Sequence, residues 1–358
     1  MKILFFCHNL TGGGAERVCA DVANGLSKRG HEVLILTDTS ATITYQPLPE
    51  VRLLSLVKPC GKLKTRWKGF VQLYGILRRE KPDVVVSILY MEASIAKLAS
   101  LLACGCPVIA SDHNSFERPG YAPMRFRQKR DKFWVNYILD GLTVLTEADN
   151  RYLAGRFKHT WVMPNPLGLE PIPKVINKEK VVLAVGRLNE WHCKGFDLLI
   201  KAWRNLGAEY ADWTLRIIGH GDEPAVSYLN NLASGISNLE FKPYTRNIQA
   251  EYQQAEVFVL SSRYEGFGLV LTEAMSQGCA CLACDYKGRQ AEIVADGKDG
   301  LICEVDNEPM LEAKLRLLLE DEGLRKRLQG NAIKSVDRFS RDHIAERWEK
   351  MLEERIKK

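Results

Sequence analysis

Short apolar runs alternate with amphipathic stretches along this chain, and the alternation stops once and then begins again. In the first half the apolar runs are residues 2–8, 32–37, 84–88, 107–113 and 142–146. Between them lie helix-like stretches such as residues 15–29, in which Val18, Val22, Ala23 and Leu26 recur at helical spacing. This alternation is typical of a parallel sheet that helices cover on both faces.

A proline-rich break separates the two series. Residues 163–174, MPNPLGLEPIPK, hold four prolines, and because proline restricts itself and its predecessor, we predict an extended linker there. The later apolar runs are residues 181–185, 215–218, 239–241, 257–260, 280–284 and 301–303. We therefore predict an α/β protein of two doubly wound parallel-sheet halves, with ligands at the carboxyl ends of the strands and in a cleft that both halves share.

Composition indicates a globular protein. Hydrophobic residues make up 46% and charged residues 26% of the 358, values that disfavour disorder, collagen-like repeats and a coiled coil. No apolar run has the length of about 18 residues that is needed to cross a bilayer. The amino terminus lacks the pattern of a secretory signal. Ten cysteines without a regular framework predict reduced thiols in a cytoplasmic protein.

Positive charge is concentrated in the first half. Residues 1–170 hold 23 Lys and Arg against 15 Asp and Glu, whereas residues 171–358 hold 27 against 29. Aromatic residues accompany two basic clusters: Arg118, Arg125, Arg127, Lys129, Arg130 and Lys132 with Tyr121, Phe126, Phe133 and Trp134, and Lys58, Lys62, Lys64, Arg66 and Lys68 with Trp67. Such clusters suit an anionic membrane surface, where each basic residue adds about 1 kcal/mol, or a solvated face. Nucleic acid is disfavoured because neither cluster belongs to a recognisable binding module.

In each half of the chain, a glycine-containing loop follows the first strand. Gly12, Gly13 and Gly14 precede the first helix, where glycine lets backbone amides approach an anion at the helix N-terminus; a flexible turn is the alternative. The spacing of the dinucleotide fingerprint is missing, which disfavours a nicotinamide-dependent oxidoreductase. In the second half, Arg187 and Lys194 lie on one strand-to-helix loop and form either a clamp for a diphosphate or a solvated pair of surface charges.

The strongest motif is SSRYEGFGLVLTEA, Ser261 to Ala274, which follows an apolar run. Seven residues, two of them glycine, separate Glu265 from Glu273. A helix beginning near Gly268 leaves amides at its N-terminus between the two acids, where an anion binds. Because carboxylates accept hydrogen bonds from paired hydroxyls, the arrangement suits a sugar nucleotide, in which sugar, diphosphate and ribose follow one another.

With this motif the chain resembles family 4 of the retaining glycosyltransferases, also known as glycosyl transferases group 1. The resemblance covers nearly the whole chain through EGFGLVLTEAMSQG, GGGAER, SDHN, MPNP, GRL…KG, IIGHGDE and FSRDHIAERW. It implies the GT-B fold, two Rossmann-like doubly wound domains facing a deep interdomain cleft. The domains implied are residues 1–166 for the acceptor, residues 171–338 for the nucleotide sugar, and a helical tail, residues 339–358, that crosses back to the first domain.

The resemblance also implies roles for individual residues. Glu265 would hydrogen-bond the transferred sugar and act in catalysis with His113, while Arg187 and Lys194 would neutralise the departing diphosphate. The positions implied for donor binding are Gly13, Gly14, Gly186, Gly219, Phe267, Gly268, Leu269, Val270 and Glu273, the last at the ribose. For His113, a histidine held structurally at a strand end is the alternative.

The activity implied is transfer of a sugar, with retention and by front-side displacement, from a nucleotide-diphosphate sugar to a hydroxyl acceptor. UDP-sugars are favoured over GDP-sugars as donors, and no cofactor is expected. The expected acceptor is a saccharide, especially a lipid-linked one, in bacterial surface polysaccharide or glycan assembly at the cytoplasmic face of the membrane. A protein that binds a nucleotide sugar without transferring it is the alternative.

No metal site is expected. Cys279, Cys281 and Cys284 follow Gly278, where the family more usually shows a proline, but their segment has the pattern of a buried strand and no set of four spaced zinc ligands accompanies it. The sequence also lacks the Asp-x-Asp pair with which other glycosyltransferase folds hold a divalent cation. Trp191, His192 and Cys193 lengthen the loop before Lys194.

Overall fold

The protein, described as a computed structural model over residues 1–56, 64–88 and 93–357, forms two units. The first unit comprises Met1–Pro166 with Phe339–Lys358, and the second comprises Leu167–Arg338. No helix or strand forms between residues 163 and 178, so the proline-rich segment is extended chain, as predicted. In the described parts of the chain, none of the helices has both the length and the hydropathy that crossing a membrane requires.

A seven-stranded parallel sheet organises the first unit, in the order β3-β2-β1-β4-β5-β6-β7. The strands are β1 Lys2–Phe6, β2 Glu32–Thr37, β3 Arg52–Ser55, β4 Val84–Ile88, β5 Val108–Ser111, β6 Gly141–Val144 and β7 Thr160–Val162. The five inner strands are the predicted apolar runs, because helices cover both faces of the sheet. The apolar pattern does not predict β3 and β7, which are short and only partly buried because they form the two edges.

Helices connect these strands. They are α1 Gly14–Lys28, α2 Lys64–Glu80, α3 Ala93–Ala103, α4 Phe126–Phe133 and α5 Glu147–Tyr152, and a 3-10 turn, Val135–Ile138, follows α4. In α1 the predicted stripe of Val18, Val22, Ala23 and Leu26 is buried against the sheet, which confirms the helical spacing.

The second unit repeats the architecture with a six-stranded parallel sheet in the order β10-β9-β8-β11-β12-β13. Its strands are β8 Glu179–Val185, β9 Thr214–Gly219, β10 Leu239–Pro243, β11 Ala255–Leu260, β12 Ala280–Asp285 and β13 Leu301–Glu304. Its helices are α6 Trp191–Lys194, α7 Phe196–Gly207, α8 Glu223–Ala233, α9 Ile248–Gln254, α10 Leu269–Ser276, α11 Glu308–Glu320 and α12 Glu322–Ser335. Every strand coincides with a predicted apolar run.

The strand order places the candidate loops. In the second sheet the chain moves outward from β8 through β9 to β10, and then returns to the other side of β8 with β11. The carboxyl ends of β8 and β11 therefore flank the topological switch point, where ligands of doubly wound sheets bind. The loops that begin at Gly186 and Ser261 follow these two strands.

The last helix, α13 Arg341–Ile356, belongs to the first unit. The Ser340 side chain accepts a hydrogen bond from His343 N and is the N-cap of this helix. Ile344, Trp348 and Leu352, which follow one another at steps of four residues, are buried beside β1 and α1, so this apolar stripe of α13 is covered. The two helices approach closely at Gly25, where a β-carbon would lie 2.6 Å from Ala345 Cβ.

Candidate active site

Glycines allow the loops after β8 and β9 to meet. Gly186 N donates to Ile218 O over 3.0 Å, and a β-carbon at Gly219 would lie only 2.0 Å from Gly186 O. A β-carbon at Gly186 would in turn lie 3.3 Å from Lys194 Cγ. The predicted glycines thus make room for a backbone contact and for the Lys194 side chain.

Lys194 and Glu265 form an ion pair at the switch point. Lys194 Nζ lies 2.6 Å from Glu265 Oε1, and the two side chains are only 17% and 14% exposed. Ser262 Oγ donates to the same carboxylate oxygen over 2.9 Å. Burial opposes the charge on Lys194, but the Glu265 carboxylate outweighs it and raises the pKa of the lysine. Two predicted residues are therefore in contact, with the lysine charged.

Arg187 is arranged differently from Lys194. Its side chain is 75% exposed and pairs with Glu190 Oε1 over 3.1 Å, one turn along the same loop. Such an exposed pair contributes little to stability, so Arg187 is able to exchange Glu190 for a phosphate at small energetic cost.

A buried arginine, to which the sequence pattern assigned no role, holds the two loops together. Arg263 donates to Asp197 through both terminal nitrogens, over 2.6 and 3.0 Å, and from Nη1 to His192 O over 2.7 Å. Its backbone N also donates to Cys193 O over 2.8 Å, and its Nε pairs with Asp306. Burial opposes its charge, but Asp197 and Asp306 raise the pKa of the guanidinium. Arg263 thereby positions both Lys194 and Glu265.

Replacement of Arg263 by alanine is expected to lower the free energy of unfolding by about 3–5 kcal/mol, because it leaves the buried Asp197 carboxylate without a partner. Chemical denaturation followed by circular dichroism measures this loss. Arg316→Ala is the matched control, since Arg316 also pairs with a carboxylate, Glu209, but at the surface. Equal losses in the two variants would contradict a positioning role for Arg263.

The helix α10 begins as the motif predicts. Gly268 caps it with φ +99°, a left-handed conformation that favours glycine. The hydrogen bond from Leu271 N to Gly268 O closes the first turn. The first amides of a helix have no partner within it, so the predicted amides of Gly268, Leu269 and Val270 lie where an anion would bind. Phe267, just before this turn, is buried.

Glu273, on the second turn of α10, is buried and positioned by a tyrosine. Tyr252, on α9, donates its hydroxyl proton to Glu273 Oε2 over 3.2 Å. Burial and the Glu273 carboxylate raise the pKa of Tyr252, so the phenol remains a donor. Sequence reasoning did not find Tyr252, because a tyrosine in an amphipathic stretch resembles any core residue.

In the first unit, the predicted glycines stand at the start of α1. Gly13 is the N-cap and Gly14 the first helical residue. A β-carbon at Gly13 would lie 1.9 Å from Glu16 Oε2, so the Glu16 carboxylate lies over the helix N-terminus. A phosphate at Gly13 therefore requires this side chain to move.

His113 follows β5 and has a partner at each ring nitrogen. Nδ1 lies 3.2 Å from Asn165 Oδ1, and Nε2 lies 3.2 Å from Ser111 Oγ, which also interacts with Thr143 Oγ1 over 3.0 Å. A neutral ring with its proton on Nδ1 satisfies these contacts. The geometry accommodates the structural alternative as well as a role at the sugar.

His113 is expected to be neutral at neutral pH, because burial lowers its pKa below the usual 6.5. Since the unfolded chain binds this proton more readily, the contribution of His113 to stability is present above pH 6.5 and is lost as the pH falls through the lowered pKa. An NMR titration of the ring measures the pKa, and His113→Gln removes this part of the pH dependence. A ring that titrates above 6.5 would contradict the prediction.

The cysteines of the C-x-C-x-x-C segment lie in or beside β12. Cys279, Cys281 and Cys284 are buried, and the Cys284 and Cys303 sulfurs lie 3.2 Å apart. Burial raises the pKa of Cys279 to about 11, so its thiol keeps its proton. Within the described residues, no group of three or more His, Cys, Asp and Glu is arranged to hold a metal ion.

The structure contradicts the predicted exposed basic cluster of residues 118–132 at Lys132. Lys132 does not face solvent: it is buried and pairs with Asp112 Oδ2 over 2.9 Å. Arg125, Arg127 and Lys129 are exposed, as a membrane surface requires. In the other cluster, Lys58 and Lys62 lie outside the described residues, and for Lys64, Arg66, Trp67 and Lys68 the structure describes only the backbone, in α2.

Comparisons with known proteins identify the family. Residues 12–170 match the family described as Glycosyltransferase Family 4, and residues 170–335 match Glycosyl transferases group 1. A Campylobacter jejuni enzyme named GalNAc-alpha-(1->4)-GalNAc-alpha-(1->3)-diNAcBac-PP-undecaprenol alpha-1,4-N-acetyl-D-galactosaminyltransferase is 30% identical over 99% of both chains. The chain belongs to glycosyltransferase family 4. An uncharacterized glycosyltransferase of Haemophilus influenzae is 28% identical over 98% of this chain and 99% of its own.

Solved structures agree with this family 4 assignment in fold. The Anabaena protein HepE in complex with UDP is 19% identical, with a TM-score of 0.81 over 99% of this chain and 100% of its own. Sucrose-phosphate synthase from Thermosynechococcus elongatus is 17% identical, with a TM-score of 0.81 over 99% of this chain and 98% of its own. The predicted GT-B class is therefore confirmed. The family matches and the Campylobacter relative confirm the prediction of a hexosyltransferase-type enzyme over an oxidoreductase.

Proposed function

We propose that this family 4 enzyme transfers a sugar, with retention, from a nucleotide-diphosphate sugar to a hydroxyl of a lipid-linked saccharide. UDP-sugars are the favoured donors and GDP-sugars the second candidates. The name of the Campylobacter relative supports the acceptor class, because it specifies a glycan on undecaprenol diphosphate. The UDP bound to HepE supports the donor class. We include in this proposal that the enzyme works at the cytoplasmic face of a membrane, where a lipid-linked acceptor would be found.

The contact between Lys194 and Glu265, next to the N-terminus of α10, carries this proposal. A charged lysine and the first amides of a helix are brought together at a topological switch point and form a site for a diphosphate. Glu265 and Glu273 border that site and are acceptors for hydroxyl groups on either side of the diphosphate. A nucleotide sugar presents its groups in this order.

Catalysis in this proposal is mainly electrostatic. As the bond between the sugar and the diphosphate breaks, negative charge develops on the leaving group and positive charge on the sugar. Lys194, Arg187 and the α10 amides stabilise the leaving group, and donors fixed in place before the reaction are the effective ones. Glu265 hydrogen-bonds the sugar, and Glu273 holds the ribose. The acceptor hydroxyl then bonds to the anomeric carbon on the face that the diphosphate leaves, and its proton passes to an oxygen of the departing diphosphate.

The proposal includes no metal ion, because side-chain cations and helix amides supply the positive charge that a divalent cation would provide. Turnover is therefore expected to be unchanged when EDTA is added. Loss of turnover with EDTA, restored by a divalent cation, would contradict this part of the proposal.

A thermal-shift panel of UDP- and GDP-sugars tests the donor. At a ligand concentration of about 100 times Kd, binding stabilises the folded state by about 2.7 kcal/mol, which is a measurable rise in Tm. UDP and UDP-sugars are expected to raise Tm more than GDP-sugars. A panel in which no nucleotide or nucleotide sugar shifts Tm would contradict the donor class.

Transfer itself is tested with the donor that the panel selects and an undecaprenyl-diphosphate-linked saccharide. The expected result is release of the nucleoside diphosphate together with an extended glycan, whose anomeric proton shows by NMR the configuration of the donor sugar. Inversion of the anomeric centre would contradict retention. Transfer only to acceptors without a lipid would contradict the acceptor class.

A further inference from the structure

The helix α3 exposes an apolar face to solvent. Leu98, Leu101 and Leu102, which share one face at helical spacing, are 53–63% exposed. The opposite face, with Ala93, Ala96 and Ala99, is buried in the core of the first unit. A helix that is apolar on both faces is typical of a buried helix, so the exposed leucines mark an interaction surface.

A second exposed apolar group lies against α3. This group consists of Trp134 and, on the 3-10 turn that follows it, Tyr137 and Ile138. These three side chains are 55–77% exposed. The turn contacts both α3 and α4. The leucines and this group therefore lie on elements that contact each other, and we call them together the docking face. Trp and Tyr are the side chains enriched where a membrane meets water.

Positive charge borders the docking face. The sequence of α4, FRQKRDKF, has four cations and one acid. The acid, Asp131, lies four residues after the exposed cation Arg127, whereas the exposed cation Lys129 has no acid three or four residues away on α4. Arg130 pairs with Asp131 over 2.6 Å, and Lys132 is buried. An isologous dimer through this face would bring the cations of one copy toward those of the other, which disfavours a second copy as the occupant.

We propose that the docking face binds the surface of an anionic phospholipid bilayer, with the leucines and aromatic rings in the interface and Arg127 and Lys129 at the lipid headgroups. Apolar burial and attraction to anionic lipids together give such surfaces their affinity. This inference rests on the proposed lipid-linked acceptor, which lies in the same membrane.

The docking face is connected through α4 to the segment that carries the candidate catalytic residue His113. Lys132, near the end of α4, pairs with Asp112 and donates to Asn114 O over 3.1 Å. These two partners flank His113 in the chain. A buried ion pair of this kind is costly to break, so α4 and the segment that carries His113 form one body. Binding through the docking face therefore holds this segment near the plane of the lipid headgroups.

Cosedimentation of the full chain with vesicles tests the proposal. Binding is expected to vesicles that contain phosphatidylglycerol, and to be weaker with phosphatidylcholine alone or at high salt. The variant Leu98→Ser/Leu101→Ser/Leu102→Ser and the variant Arg127→Gln/Lys129→Gln are each expected to lower the partition constant about tenfold or more. The matched control is Ile176→Ser/Leu317→Ser, which removes exposed apolar residues of the second unit and is expected to bind like the wild type.

Outcomes for the two proposals are separable, because vesicle binding needs no substrate. Binding of the docking-face variants equal to the wild type overturns the inference, as does a concentration-dependent dimer, seen by light scattering, that the leucine variant abolishes. Donor binding by the leucine variant, measured as the Tm shift with UDP, is expected to equal that of the wild type and shows that the variant is folded. A wild type that binds vesicles but transfers no sugar overturns the proposed function alone.

Discussion

The Lys194→Ala variant is expected to turn over about 100-fold or more slowly than the wild type, because it lacks a fixed positive charge at the leaving group. The effect is expected mainly in kcat, since negative charge on the diphosphate increases as the glycosidic bond breaks. Lys194 is only 17% exposed and is held by Glu265, so we expect no flexible side chain to replace it. Release of nucleoside diphosphate, followed at saturating donor, measures the change.

Loss of the lysine also leaves the half-buried Glu265 carboxylate without its cation, with only the Ser262 hydroxyl as a partner. That effect on stability must be separated from the effect on the reaction. The double variant Lys194→Ala/Glu265→Gln removes the unpaired charge and is expected to regain stability, and its turnover is compared with that of Glu265→Gln alone, so that the difference reports the lysine. The exposed pair of Lys326 and Glu322 in the same unit supplies the matched controls Lys326→Ala and Glu322→Gln, which are expected to keep full turnover. Wild-type kcat in a folded Lys194→Ala protein would contradict the assignment.

The Glu273→Ala variant is expected to bind UDP about 10- to 100-fold more weakly, because hydrogen bonds to a charged group contribute about 1.5–3 kcal/mol. The ribose contact changes little during the reaction, so KM for the donor is expected to rise more than kcat falls. Isothermal titration with UDP gives the dissociation constant, and initial rates give the two kinetic parameters.

A second variant tests how Glu273 is positioned, and a control variant tests the loss of a carboxylate charge elsewhere in the second unit. Tyr252→Phe removes only the hydroxyl that donates to Glu273, and it is expected to weaken UDP binding by a smaller factor with kcat unchanged. Glu312→Gln, at a carboxylate on α11, is the matched control and is expected to bind UDP like the wild type. Unchanged UDP affinity in a folded Glu273→Ala protein would contradict the proposed ribose contact.

The secondary structure was largely predictable because its cause is local. Each inner strand is an apolar run that helices cover on both faces, and Ser340 and Gly268 cap their helices through contacts within a few residues. The edge strands β3 and β7 escaped prediction because a strand with one neighbour needs no continuous apolar run. Their pairing depends on β2 and β6, which lie elsewhere in the chain.

The sequence predicted which segments form the candidate site, but it did not predict which side chains in those segments contact one another. The motif from Ser261 to Ala274 and the loop after β8 were found from residue type and position. The role of Arg263 was not, because Asp197 and Asp306 lie far away in sequence and nothing local predicts a bidentate contact. Lys132 shows the same limit, since Arg127, Lys129 and Arg130 on the same helix are exposed and its burial depends on Asp112 and Asn114, which lie on another segment of the chain.

The sequence alone predicted the two parallel-sheet halves, the linker between them, the capped helices and the glycosyltransferase motif. Each of these depends on residue spacing within one segment. The tertiary structure alone decided that Lys194 contacts Glu265, that Tyr252 supports Glu273, and that the leucines of α3 stay exposed. Burial and pairing are properties of neighbours in space. Those neighbours are set by the order of the strands and the packing of the helices.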